Sequence, residues 1–137
     1  MRVELLPWQD ARAHAATIRF AVFVEEQGVP AEIELDEHDA ACVHAVAYDG
    51  DQAVGTGRLL PDGHIGRMAV LKEVRNRGVG ALVLTRLIER AKEQGFREVV
   101  LSAQVQAARF YRRHGFVEEG PEYMEAGIRH RAMRRAL

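Results

Sequence analysis

A loop near the middle of the chain combines two arginines with two glycines at a spacing suited to binding a phosphate group. It consists of the consecutive residues Arg75, Asn76, Arg77, Gly78, Val79, Gly80 and Ala81. A helical pattern follows, and a helix N-terminus attracts anions because about four backbone N–H groups there lack partners. Gly78 and Gly80 carry no side chain that would hold a phosphate away from the backbone, and Arg75 and Arg77 add positive charge. A tight turn before a helix is the alternative, and two glycines alone do not decide.

Two other phosphate-binding motifs are excluded by the residues of this loop. A P-loop requires Gly-Lys-Ser/Thr, whereas Gly80 is followed by Ala81 and Leu82. A dinucleotide-binding fingerprint requires a third glycine three residues after the second, where this chain has Val83. The pattern that remains, Arg-x-x-Gly-x-Gly, favours a phosphate-bearing ligand other than ATP or a dinucleotide.

A second candidate for chemistry is Tyr111, which lies in a predicted helix from about residue 105 to residue 114. Helical spacing places it on one face with Ala107, Phe110 and His114. A phenol with a pKa of about 10 can act as a proton donor. On helix periodicity alone, a packed core tyrosine is the simpler interpretation.

Together these segments resemble the GNAT superfamily of N-acetyltransferases. Residues 75–80 match its Arg-x-x-Gly-x-Gly motif, and residues 66–70 look like its fourth strand. Residues 103–116 resemble its Asn-x-x-Ala-x-x-Phe-Tyr-x-x-x-Gly-Phe segment, with Gln104 in place of the asparagine. A subset of small members has Ala-Gln there, and residues 23–30 are similar to that subset. The likeness covers almost the whole chain and favours a functional Tyr111 over a purely structural one.

The resemblance implies acetyl-CoA as co-substrate and a small primary amine as acceptor, with direct transfer in a ternary complex. It implies that backbone N–H groups of the fourth strand stabilise the oxyanion and that Tyr111 protonates the leaving thiolate. It leaves a homodimer open. The cofactor-binding residues that it implies are Met68, Ala69, Val70, Arg75, Asn76, Arg77, Gly78, Val79, Gly80, Ala81, Gln104, Ala107 and Phe110.

The base that deprotonates the acceptor is not singled out by any motif. The candidates are Glu25, Glu26, His38, His64 and His130. Glu25 and Glu26 end the first predicted helix, where the family commonly forms its acceptor site, and we predict Glu26 as the second catalytic residue. A solvated acidic patch is the alternative for both glutamates. His130 can face either the acceptor pocket or water, and a chain of waters can replace a dedicated base.

Several other polar residues carry less information. None of the six histidines shows zinc-ligand spacing with Cys42, so no metal is expected. Cys42 is the single cysteine, which excludes an intramolecular disulfide, and it begins an apolar strand, which favours the core over a nucleophile. An acidic run indicates either a cationic acceptor or a solvated surface, and comprises Glu32, Glu34, Asp36, Glu37 and Asp39.

Composition limits the classes of function. The chain has 137 residues, which suits a single domain over residues 1–137. Its net charge of -1 argues against binding nucleic acid, and positive charge is confined to local clusters. No apolar run approaches the roughly 20 residues that span a bilayer, and no signal-peptide core follows Met1. We therefore expect a cytoplasmic protein that does not bind membranes.

The elements that position these residues follow from periodicity and from turn residues. A helix with Asp10 as its N-cap precedes a predicted surface loop at 27–40, and turns at 49–51 and 61–63 indicate an antiparallel meander. The predicted strands are 2–6, 42–48, 53–60, 64–71, 97–103, 116–119 and 128–133, and the predicted helices are 10–24, 78–94 and 105–114. This order predicts an α+β, GNAT-like fold with a mixed central β-sheet flanked by helices.

The leading hypothesis is therefore an acetyl-CoA-dependent N-acetyltransferase. A non-catalytic acyl-CoA-binding or sensing protein on the same fold is the alternative, and retention of Tyr111 argues against it. A phosphate- or RNA-binding module built on the arginine clusters is a third possibility, which the near-neutral net charge disfavours.

Overall fold

The computed structural model describes residues 1–137, with the side chain of Ile33 left out. Short 3-10 turns lie at Asp39–Ala41, Lys72–Val74 and Val105–Ala107. The strands are β1 (Arg2–Leu6), β2 (Val43–Asp49), β3 (Gln52–Leu59), β4 (Ile65–Val70), β5 (Glu98–Gln104), β6 (Val117–Glu125) and β7 (Ile128–Ala136). The helices are α1 (Trp8–Arg19), which continues as a π-helical segment (Phe20–Glu26), α2 (Ala31–Glu34), α3 (Val79–Glu93) and α4 (Ala108–Arg113).

The first four strands form one antiparallel sheet in the order β1-β2-β3-β4. Each strand pairs with the next along the chain, for example Val46 with Thr56 and Thr56 with Ala69. Gly50 and Gly63 turn the chain between strands with positive φ angles of 64° and 93°, a conformation that a residue without Cβ adopts at little cost. The predicted meander is confirmed.

The last three strands form a second antiparallel sheet in the order β5-β7-β6. The two sheets meet at a parallel bridge between His64 and Val100, where the Val100 amide donates to the Gly63 carbonyl at 3.1 Å. The α+β class is confirmed. The predicted mixed sheet is divided into two antiparallel sheets, and within the described residues the parallel pairing of β4 with β5 is limited to this bridge.

Helix α3 packs unusually close to β3 because that strand presents glycines to it. A Cβ at Gly55 would lie 2.6 Å from Cγ1 of Val79, and one at Gly57 would lie 2.9 Å from Cγ1 of Val83. The predicted apolar stripe of α3 is buried, and comprises Val79, Val83, Leu84, Leu87, Ile88 and Ala91. Each of the larger side chains contributes about 1.5–3 kcal/mol by burial, so this interface fixes the position of the helix N-terminus.

Helix α1 begins two residues earlier than predicted. Its N-cap is Pro7, whose carbonyl accepts the amides of Asp10 and Ala11 at 3.0 Å each, so Asp10 lies in the first turn and is not the cap. The proline is suited to this place because its fixed φ matches an extended residue that enters a helix. No described helix is long and apolar enough to cross a membrane.

The acidic segment before β2 differs most from the prediction of a surface loop. It contains α2, and three of its carboxylates form an acid–arginine cluster that we define as the buried Arg19, Glu34, Asp39 and Arg58 with the half-buried Asp36 and Arg67. Arg19 lies between Oε1 of Glu34 at 2.5 Å and Oδ1 of Asp39 at 2.8 Å. The solvated-surface interpretation fails for the buried Glu34 and Asp39, whereas Glu32 and Glu37 are exposed as it expects. A charge removed from water needs a partner, and arginines of three other elements supply it.

Candidate active site

A cavity of about 650 Å³ opens where β4 and β5 separate. Its walls come from β4, from the ends of β5 and β7, and from the π-helical segment, which contributes Val22 and Phe23. The predicted site residues that line it are Met68, Ala69, Val70, Arg75, Gln104, Ala107 and Tyr111. The structure thus brings together the fourth strand and the 103–116 segment, as the sequence predicted.

A bulge in β4 shapes the inner wall of the cavity. Thr56 pairs with Ala69 while Arg58 pairs with Gly66, so β4 has one residue more than β3 over this stretch. Arg67 takes up the extra length with a φ of 50°, in the left-handed region that a non-glycine residue rarely adopts. Beyond the bridge at His64, the described residues of β5 do not pair with β4, so the β4 edge carries backbone polar groups available to a ligand.

The predicted phosphate loop lies at the start of α3, beside the cavity and outside its lining. Gly78 is the N-cap residue with a φ of 81°, and no described side chain caps the helix. No atom lies within 4 Å of the position that a Cβ on Gly78 would occupy. The exposed backbone N–H groups of a long helix and the open space beside them suit a pyrophosphate.

The other loop residues divide between the ligand side and the core. Asn76 and Arg77 are exposed, and Arg77 contacts Asp49 at 3.3 Å. Val79 is buried in the core, so only its backbone can reach a phosphate. Gly80 and the half-buried Ala81 form the first turn of α3. The Phe110 ring lies 3.5 Å from where a Cβ on Gly80 would be, so it walls the same turn.

Arg75 makes contacts within the protein in this structure. Its Nη1 and Nη2 donate to both carboxylate oxygens of Glu26 at 2.5 and 2.6 Å, and its Nε donates to the Val70 carbonyl at 3.1 Å. Hydrogen bonds from Arg75 lower the pKa of Glu26 below its ordinary value. A carboxylate with a lowered pKa is a weaker base, so this pairing does not favour the predicted catalytic role of Glu26. Glu26 instead ties the π-helical segment to the phosphate loop.

Tyr111 lies at the inner end of the cavity and is almost fully buried. Its ring packs edge-on against Phe110 and Phe116, with centroids 5.1 and 5.9 Å away. Burial raises the pKa of Tyr111 to about 12, because an anionic phenolate is poorly solvated among aromatic rings. The hydroxyl therefore remains a hydrogen-bond donor across the neutral and mildly alkaline range.

Gln104 bridges the mouth of the cavity. Its Nε2 donates to Oε1 of Gln27, the residue after the π-helical segment, at 2.8 Å. Its own Oε1 accepts from Nε2 of Gln106 at 2.6 Å. Gln27 was missed from the sequence, because the contact joins residues that are far apart in the chain and no local pattern signals it.

His130 is the base candidate that the structure places in the cavity wall. It is 6% exposed, and its Nδ1 contacts the Ile128 carbonyl at 2.7 Å. Its Nε2 lies 3.5 Å from Oε2 of Glu125, a cavity residue that the sequence did not indicate as functional. The two-residue turn Ala126–Gly127, with φ angles of 51° and 76°, is the signal that could have revealed this hairpin.

The remaining candidates lie elsewhere or are engaged. Glu25 and His38 are exposed and lie outside the cavity lining, and His64 lies at its edge in contact with Asp62 at 2.9 Å. Cys42 is buried, its Sγ donates to the His38 carbonyl at 3.1 Å, and burial raises its pKa to about 11. A thiol of that kind is a poor nucleophile, which agrees with the predicted core role.

Comparison with known proteins assigns the chain and its fold to one family. The profile of the acetyltransferase (GNAT) domain matches residues 9–137. The chain belongs to the GNAT acetyltransferase family. It is 42% identical over 120 residues to YjcF of Bacillus subtilis, an uncharacterized N-acetyltransferase, covering 85% of this chain and 86% of YjcF.

Solved structures agree with this membership of the GNAT family. An acyl-CoA N-acyltransferase from Pseudomonas aeruginosa is 30% identical, with a TM-score of 0.88 over 99% of this chain and 100% of that one. ElaA of Escherichia coli is 26% identical, with a TM-score of 0.89 over 98% of this chain and 99% of that one. The resemblance inferred from the loop and from the 103–116 segment is confirmed.

Proposed function

We propose that this GNAT-family chain transfers an acetyl group from acetyl-CoA to a primary amine by direct attack in a ternary complex. One observation carries the proposal. The cavity between β4 and β5 is lined by the bulged strand and by Tyr111, and it opens beside the uncapped N-terminus of α3. A phosphate-binding turn, an unpaired strand edge and a buried proton donor therefore lie along one path.

The residues present suit the parts of acetyl-CoA. The α3 N-terminus and the glycines at 78 and 80 offer backbone N–H groups to the pyrophosphate. Arg77 supplies charge from the exposed side, and Arg75 can exchange Glu26 for a phosphate oxygen at the other. The β4 edge at Met68 and Val70 offers backbone groups to the amides of the pantetheine arm, since both residues line the cavity. Gln104, Ala107 and Phe110 border the same path.

Two groups of this chain serve the transfer itself. Backbone N–H groups around Met68 and Ala69, next to the bulge, stabilise the oxyanion that forms on the thioester carbonyl. The Tyr111 hydroxyl donates a hydrogen bond to the departing sulfur. With a pKa of about 12, the phenol holds its proton more tightly than a thiol does, so its principal contribution is that hydrogen bond, and complete proton transfer is secondary.

The composition and net charge indicate the compartment and the kinds of ligand that we expect for the protein. We expect a cytoplasmic enzyme with a small amine acceptor and no nucleic-acid or membrane ligand, because the net charge is -1 and arginines of the C-terminal cluster such as Arg129 and Arg131 are paired with glutamates. A homodimer is compatible with this function, and residues 1–137 are taken as one domain.

The test is a panel of primary amines with acetyl-CoA, in which released CoA thiol and acetylated product are both measured. We expect turnover of at least one amine, and a rise in melting temperature with acetyl-CoA because a ligand of the native state stabilises it. A rise in melting temperature without turnover of any amine would instead support an acyl-CoA-binding protein. No change in melting temperature would refute the cofactor assignment.

A further inference from the structure

The hairpin of β6 and β7 places three polar groups on the cavity side of the second sheet. Tyr123 pairs with His130, and Glu125 pairs with Ile128, so their side chains share one face of the hairpin. The rings of Tyr123 and His130 are stacked with centroids 6.1 Å apart. The Tyr123 hydroxyl in turn contacts the Ser102 hydroxyl on β5. The His130 imidazole is therefore held on one side by the Tyr123 ring, which the contact with Ser102 ties to β5.

The hydrogen bond to Ile128 determines which nitrogen of His130 carries the proton. A carbonyl oxygen only accepts, so Nδ1, at 2.7 Å from that oxygen, must be the protonated nitrogen. In the neutral ring the other nitrogen, Nε2, is then the one with a free lone pair. This is the arrangement of a proton acceptor that is oriented in advance.

Glu125 is placed to stabilise the protonated ring. Its Oε2 lies 3.5 Å from Nε2, and both residues line the cavity. The carboxylate is therefore a negative charge next to Nε2. Glu125 is about half exposed, so it can also pass the proton on to water.

The other charged and titratable groups near His130 are engaged elsewhere. On its own strand, Arg129 pairs with Glu122 and Arg131 pairs with Glu118. From β6, Tyr123 and Glu125 face it, and from β5 its register partner is the uncharged Gln104. Of the rival carboxylates, Glu34 is held by Arg19, whereas Glu26 is exposed and lies outside the cavity lining, whether or not Arg75 holds it. His130 is a buried cavity residue whose acceptor atom, Nε2, has its nearest charged neighbour at 3.5 Å.

We propose that His130 is the general base of the transfer, with Ile128 and Glu125 as its positioning partners. This rests on the proposed function and completes it, because a primary amine enters as an ammonium that cannot attack. Nε2 takes one proton from that ammonium. The neutral nitrogen forms the C–N bond to the thioester carbonyl, the C–S bond breaks, and a second proton of the nitrogen neutralises the thiolate. The proton on Nε2 leaves to solvent, so the products are an amide, a thiol and one proton.

The first test reads the ring directly and needs no turnover. In protein labelled with ¹⁵N-histidine, long-range ¹H–¹⁵N correlation spectra distinguish the two neutral tautomers, and the His130→Gln spectrum assigns the signal. We expect the neutral ring of His130 to carry its proton on Nδ1. A proton on Nε2 would overturn the assignment, since that nitrogen could not then accept another.

The second test measures kcat/KM against pH with an alkylamine and with a weakly basic arylamine that is already neutral. In His130→Gln we expect a loss of about 100-fold or more with the alkylamine and a much smaller loss with the arylamine, and the alkylamine rate should then follow only the ionisation of the amine itself. A merely structural role would reduce both acceptors equally. His14→Gln, an exposed histidine on α1 outside the cavity lining, is the matched control and should leave rate and pH profile unchanged.

The rival base is tested in the same assay. If Glu26→Gln causes the larger loss with the alkylamine than with the arylamine and His130→Gln does not, the predicted glutamate is the base and the proposal is wrong. If the wild type acetylates an amine and His130→Gln does so at the same rate, the assignment of His130 as base is wrong and the enzyme function stands. Absence of turnover of every amine by the wild type refutes the enzyme function itself.

Discussion

At the scale of single residues, burial and hydrogen bonding set the chemistry of the site. Tyr111 has a pKa of about 12 because its ring is enclosed by Phe110 and Phe116. Glu26 and His130 are both candidate bases in the sequence. Glu26 has a lowered pKa because Arg75 donates hydrogen bonds to both its carboxylate oxygens. Residue type alone does not distinguish these outcomes.

If Tyr111 donates to the leaving sulfur, kcat should depend on this residue but should not fall at mildly alkaline pH because of it. Tyr111→Phe should lower kcat about 100-fold, and the wild type should show no fall in kcat from this residue below about pH 10, because its pKa is about 12. Steady-state kinetics of both proteins from pH 6 to 10 would check this. A basic-side fall near pH 8–9 that vanishes in Tyr111→Phe would contradict the assignment.

The raised pKa of Tyr111 also makes stability depend on pH. The direction is opposite to that of a carboxyl group whose pKa is lowered in the folded protein. The unfolded tyrosine ionises near pH 10, whereas the folded one ionises at about 12. The stabilising preference for the protonated form is therefore complete below about pH 10 and is lost as the pH rises towards 12. Tyr111→Phe should lack this part of the alkaline loss in urea titrations.

At the scale of elements, the approach of α3 to β3 predicts a specific weakness. Gly55→Ala should destabilise the protein by about 1–3 kcal/mol, because its Cβ would lie 2.6 Å from Cγ1 of Val79 and must push the helix outward. Urea denaturation measures the change. Gly66→Ala, in β4 with no atom within 4 Å of the added carbon, is the matched control and should change stability little.

Elements that depend on neighbours in sequence were predictable. The meander follows from Gly50 and Gly63, and the buried stripe of α3 follows from its 3.6-residue period. The division into two sheets was not predictable, because it depends on where β4 and β5 stop pairing. The length of β6 was also missed, since the Ala126–Gly127 turn lacks the usual Asn or Asp.

For the site, the same distinction applies between local and distant contacts. The loop 75–81 and Tyr111 were found because each lies in a continuous motif. The acid–arginine cluster and the Gln27–Gln104 bridge join residues far apart in the chain, so no spacing rule could reveal them. The sequence placed Glu34 in an acidic run and Arg67 in the fourth strand, but not the ion pair between them in the cavity wall.

At the scale of the whole molecule, the acid–arginine cluster connects α1, α2, β3 and β4. Arg19→Met should destabilise the protein by about 3–5 kcal/mol, because it removes the nearest cation of the buried Glu34 and one of the two arginines that hold the buried Asp39. Thermal or urea unfolding would check this. Arg129→Met, which breaks an exposed pair with Glu122, should cost no more than about 1 kcal/mol, and equal effects of the two substitutions would contradict the role of the cluster.

The gap between β4 and β5 has one more consequence. Two strand edges with unpaired backbone groups face each other across it, and such edges are the sites where chains add foreign strands. A ligand that fills the gap with its own amides would act as a shared partner for both edges and convert two small sheets into one. With the ligand bound, amide hydrogens of β4 should exchange with solvent more slowly than in the free protein. The bound protein should also aggregate less than the free protein. A bound substrate would thus protect the protein from aggregation in addition to taking part in the reaction.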